Sequence, residues 1–70
     1  MNRIIFYPIG TKVKIGSVEG TITQIKMTGS KYNIVYLISR IVDEHHYESW
    51  MYDIEFSSTG HKVKMKFVIA

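Results

Sequence analysis

Three sets of side chains in this seventy-residue chain have the types and spacing for chemistry. The first is a row of ammonium groups. Lys62, Lys64 and Lys66 recur at every second position, as do Lys12 and Lys14, so in extended chain each set lines one face. Lysines gathered on a sheet neutralise backbone phosphates, giving nucleic-acid binding that depends on salt and not on base sequence. The same pattern also serves as a solvated face that guards strand edges, and the row has almost no arginine, the better phosphate fork. The second set is aromatic: Tyr32, Tyr36, Tyr47, Trp50 and Tyr52. Where exposed, such rings stack on bases or on a proline-rich peptide; where buried, they fill a small core. Trp50 and Tyr52 share an alternation phase beside Asp53 and Glu55, the start of a cage for a methylated cation. The third set is the stretch DEHHYE. His45 and His46 are adjacent and point to opposite faces of a strand, so only Glu44, His46 and Glu48 share one. That falls short of three close nitrogen or sulfur ligands, and no metal site is expected.

Catalytic patterns are missing from the same residues. Without cysteine there is no thiolate nucleophile, disulfide framework or cysteine-rich zinc site. GSVEG, residues 16–20, lacks the spacing and the Lys-Ser/Thr ending of a phosphate-binding loop, and its glycines read as turn residues. Serine, histidine and aspartate occur in no order that suggests a triad. The expectation is a non-enzymatic chain with no cofactor.

Length bounds the elements that must position these groups. Residues 1–70 make a single domain with a small core, in which nearly every apolar side chain is needed and a deep cleft has no room. At 46% hydrophobic and 21% charged residues the chain is globular in composition. Its net charge of +3 is unevenly spread, because Asp43, Glu44, Glu48, Asp53 and Glu55, five of the six acids, fall within thirteen positions. The apolar run before Pro8 is too short for a secretory leader and no segment reaches bilayer-spanning length, so a cytoplasmic location without membrane contact is expected.

Apolar residues recur with period two, which predicts an all-β chain. TKVKI is a first half-buried strand, with Val13 and Ile15 inward, and RIIFY before it is a possible short strand ended by Pro8. GTITQIKMT follows, its phase changing between Ile22 and Ile25 as a β-bulge near Thr23 or Gln24 requires. After a TGSK turn, YNIVYLIS is apolar on both faces and belongs at the centre of a sheet or at an interface. RIVDEH is expected to be a loop, HYESWMY a fourth strand, DIEF a tight turn carrying Ile54 and Phe56 inward, and SSTGH another turn. KVKMKFVI is the last strand.

Taken together, the glycine turn, the YNIVYL strand and ESWMYDIEF leading to a final strand resemble small SH3-like barrels of the Tudor or KOW kind, from Ile9 to about Phe67. The chain is also similar in style to short bacteriophage and prophage proteins. The resemblance implies a five-stranded, mostly antiparallel SH3-like barrel that binds protein tails, proline-rich peptides or nucleic acid, in a bacterial host cytosol. It further implies that first and last strands pair, bringing Lys12 and Lys14 beside Lys62, Lys64 and Lys66. Two readings follow. In the preferred one, a phage or mobile-element accessory protein engages a host or viral protein through Tyr36, Tyr47, Trp50, Tyr52, Arg40, Asp43 and Glu44. In the other, the lysine row binds nucleic acid. The doubly apolar third strand also makes a homo-oligomer credible.

Overall fold

The computed structural model describes the backbone of residues 2–29 and 33–67 and the side chains of 5–29 and 33–63. The expected positions at Tyr32 and in the terminal VIA therefore lie outside the described residues.

Alternating apolar residues form six strands: β1 (Asn2–Phe6), β2 (Lys12–Ile15), β3 (Val18–Thr28), β4 (Asn33–Val42), β5 (His45–Met51) and β6 (Val63–Phe67). A 3₁₀ turn, Asp53–Glu55, follows β5, and there is no α-helix among the described residues. Among the described residues no helix is long and apolar enough to cross a membrane. The strands make two antiparallel sheets, a four-stranded one in the order β2-β3-β4-β5 and a two-stranded ribbon of β1 and β6. Pro8 ends β1, and its carbonyl accepts from the Thr11 amide and hydroxyl across a turn in which Gly10 takes φ +94°.

The bulge is present: pairing of β3 with β4 shifts register between Ile22 and Gln24. It lets Ile22 and Ile25 both serve the core although their spacing is odd. β4 is central and buried on both faces, with Tyr36 and Ile38 on one and Val35 and Leu37 on the other. Val13, Ile22, Tyr36 and Ile38 form the core cluster, with Phe6, Tyr7, Ile15, Ile25, Ile34, Met51 and Phe56 packed around it. Tyr7, Tyr36 and Phe56 meet at ring-centroid distances of 5.6–5.9 Å in tilted and edge-on geometry.

The four-stranded sheet is not closed; beyond β5 the chain returns to the free edge of β2 through a single bridge, Lys14 to Ser57, with hydrogen bonds of 2.7 and 2.9 Å. Several expectations are corrected. The last strand pairs with β1 and not with β2, because β2 already has β3 on one edge and Ser57 on the other. Lys12 and Lys14 are thus separated from β6. RIVDEH is no loop; β4 runs to Val42 and only Asp43 and Glu44 connect it to β5. GSVEG is likewise turn only at Gly16 and Ser17, and Gly20 is a buried strand residue. Phe56 packs inward, but Ile54 is 90% exposed, since the 3₁₀ turn directs it to solvent.

The molecule is long for its size. Its radius of gyration is 13.1 Å and its extents are 46 × 22 × 17 Å, against about 11 Å for a compact chain of this length.

Candidate functional site

Among the described residues, the β4–β5 hairpin and the segment after it gather five of the nine large apolar groups that the fold leaves in water: Ile41, Tyr47, Trp50, Tyr52 and Ile54. β5 is an edge strand, its outer side unpaired among the described residues. Its backbone donors and acceptors on that side are a template for another strand.

The hairpin tip is conformationally unusual. Asp43 and Glu44 both take positive φ, 49° and 68°, as a two-residue type I′ turn demands, yet neither is the glycine that this turn favours at its second position. Strain of this kind concentrates at functional sites. Replacing Glu44 with glycine is expected to stabilise the fold by up to about 1 kcal/mol. Thermal unfolding checks it: the midpoint should rise by roughly 4–8 °C for each kcal/mol gained.

Register sorts the candidate residues onto two faces. On one, β4 places Leu37 opposite Trp50 and Ser39 opposite Glu48. Lys26, from β3, sets its ammonium 4.3 Å above the Trp50 ring, so the position a methylated cation would take in a cage is filled by the chain's own lysine. On the same face Lys12 donates to Thr21 Oγ1 at 3.0 Å, and Ser39 Oγ lies 2.6 Å from His46 Nε2. Glu48 Oε1 is 3.6 Å from that same nitrogen. A Ser-His-acid relay needs the acid on the other ring nitrogen, so the trio is a surface hydrogen-bond cluster. Among the described residues no group of three His, Asp or Glu side chains converges to hold a metal ion.

On the opposite face Arg40 donates to Ser49 Oγ at 2.8 Å and lies 5.8 Å from the Tyr47 ring. Tyr47 and Trp50 are thus on opposite faces of β5 and flank its free edge. Tyr36 leaves the candidate surface altogether: it is 1% exposed, and its hydroxyl accepts from the Tyr7 amide at 3.1 Å. Burial raises its pKa above the usual tyrosine value. Tyr52 begins the 3₁₀ turn, where its amide donates to Glu55 Oε2 at 2.7 Å.

The lysine row divides three ways. Lys12 and Lys14 are exposed on β2. Lys62 donates to Asp53 Oδ2 at 2.6 Å and sits 5.1 Å from the Tyr7 ring centroid; the hydrogen bond to Asp53 raises its pKa. Lys64 and Lys66 are in β6, opposite Ile5 and Arg3. Arg3, Lys26 and Ser39 did not stand out in the sequence. Their signal is cross-strand register, which becomes readable only once the turn at 43–44 and the ends of β1 are known.

No family model, curated protein or solved structure matches this chain.

Proposed function

We propose that the protein is a non-enzymatic protein-binding module on a partly open SH3-like barrel, and that it receives an extended segment of a partner protein along β5. The observation that carries this is the seven-residue free edge of β5 with exposed aromatic rings on both of its faces. Backbone pairing along such an edge supplies affinity, and alternate side chains supply selectivity. Asp43 and Glu44 at one end of the edge, Glu48 within it and Asp53 and Glu55 beyond the other give it an acidic border, which favours a segment carrying lysine or arginine. The barrel part of the reading is supported by the order of β2 to β5, the 3₁₀ turn after β5 and the Ser57 return to β2. Work as a phage or mobile-element accessory on a host or viral protein, in the bacterial cytosol, is the setting this reading carries.

Selection of a displayed library of extended peptides against the folded protein tests it. Basic, β-prone sequences should be enriched, and their affinity should fall at least tenfold on Trp50→Ala, about 1.4 kcal/mol or more for a central aromatic. Bound peptide should also slow amide exchange in β5. Peptides that survive Trp50→Ala with β5 amides unprotected would sink the edge reading. Because Trp50 is 41% exposed, its truncation leaves the fold standing.

A further inference from the structure

The charge of the molecule is partitioned by its architecture. Segments 1–11 and 56–70, which supply β1 and β6, hold four cations, Arg3, Lys62, Lys64 and Lys66, and no acid. The intervening 12–55 holds five cations against all six acids. The net +3 of the chain therefore comes entirely from the ribbon segments, while the four-stranded body is slightly negative.

Register concentrates that charge further. β1 and β6 pair Arg3 with Lys66 and Ile5 with Lys64. In an antiparallel ladder these four positions share one face. Continued one step past Phe6 and Val63, the same alternation places Tyr7 and Lys62 on it, and Lys62 does lie over the Tyr7 ring. By register, positions 3, 62, 64 and 66, all cationic, thus share one face of the ribbon with the exposed Ile5. One feature of this register is costly for folding alone: Arg3 and Lys66 occupy directly opposite positions, and like charges so placed destabilise a ladder. An anionic ligand spaced along the ribbon relieves that cost.

We infer that the β1–β6 ribbon is a binding site for duplex nucleic acid, its basic face set against the phosphates of one groove. The major groove of B-form DNA is about 12 Å wide and admits a two-stranded ribbon. Lysine and arginine in a line match regularly spaced phosphates, and Ile5 among them is an apolar contact for base edges. The slightly acidic body repels the same polyanion, which leaves the ribbon as the contact on a molecule 46 Å long. This site is separate from the β5 edge and does not use Lys12 or Lys14.

Fluorescence anisotropy of a labelled DNA duplex of about 16 base pairs, the matching RNA duplex and the single strand, each titrated with the full chain, tests the inference. Duplex should be bound in preference to single strand. With three to four phosphates neutralised, affinity should fall about 40- to 150-fold between about 50 and about 200 mM salt. Lys66→Glu is the informative variant, because it turns the Arg3–Lys66 pair into an opposite-charge pair. The fold should be held or stabilised while duplex affinity drops tenfold or more. Lys12→Glu with Lys14→Glu should leave affinity near wild type. Absence of duplex binding at about 50 mM salt, or full affinity in Lys66→Glu with a native melting curve, overturns the inference. So does binding to phosphatidylserine vesicles or to a polyglutamate peptide that exceeds binding to the duplex.

Discussion

Alanine at position 36 is expected to leave most of the protein unfolded. Tyr36 is the largest side chain that is almost wholly buried, and it joins Tyr7 and Phe56 in the aromatic cluster that links β4 to the chain ends. Truncating a buried aromatic costs about 3–5 kcal/mol, close to the whole stability of a domain this small, which is roughly 3–10 kcal/mol. Urea denaturation measures it, and a loss under about 1 kcal/mol would show that the cluster does not hold the core. Tyr36→Phe separates the ring from its hydroxyl. It keeps the packing but leaves the half-buried Tyr7 amide without its acceptor, for a loss of about 1–2 kcal/mol. It also changes the alkaline limb. The folded pKa of Tyr36 lies above 10.0 because burial disfavours the phenolate. Its contribution to stability is therefore complete below pH 10.0 and is lost as pH climbs through the folded value, since the unfolded chain gives up the proton first. Lys62, raised by the Asp53 carboxylate, acts in the same direction above 10.5. Tyr36→Phe should consequently shallow the alkaline fall while leaving the part due to Lys62.

The second large effect is steric. A Cβ at Gly20 would stand 2.8 Å from Ile38 Cγ2 and 3.0 Å from the Ser39 carbonyl oxygen. Ile38 is fully buried and β-branched, so its methyl has no other rotamer to retreat to, and the carbonyl belongs to the paired backbone of β4. Gly20→Ala should cost about 1–3 kcal/mol in chemical denaturation, by forcing β3 and β4 apart. Gly16→Ala makes the contrast. Nothing lies within 4 Å of the added carbon, but φ is +62°, and the cost of about 1–2 kcal/mol is paid in backbone strain alone. In a double-mutant cycle Ile38→Leu, which lacks the Cγ2 methyl, should offset part of the Gly20→Ala loss and none of the Gly16→Ala loss. Equal responses would refute the close-approach argument.

That glycine also shows where sequence reading stops. Period-two alternation placed the strands, the change of phase in GTITQIKMT located the bulge, and the doubly apolar YNIVYLIS announced a central strand. Those signals are local, carried by residues a few positions apart. Gly20 looked like the far end of a turn because a glycine required by close packing and one required by positive φ are the same letter. Ile54 looked buried because apolar character alone does not say which way a 3₁₀ turn will point it. Partner choice was the larger gap. Whether β6 pairs with β1 or β2 is decided by which edge is already occupied, and the Ser57 bridge that occupies it involves one residue. The candidate surfaces depend on the same pairings. Arg3 joins the lysines only through the β1–β6 register, and Ser39 meets His46 only because the connection at 43–44 is two residues long.

The ribbon has a consequence for when its surface exists. β1 and β6 come from opposite ends of the described chain, so their pairing closes a loop that contains the entire four-stranded sheet. A closure of that span costs far more chain entropy than the two-residue hairpins at 16–17 and 43–44. The body must shorten the gap first, by carrying Tyr7 against Tyr36 and Phe56 and by tying Lys62 to Asp53. Arg3 and Lys66 are neighbours only in a molecule that has already completed this sequence. The basic line is thus a late product of assembly, one that a nascent or misfolded copy of the chain does not display.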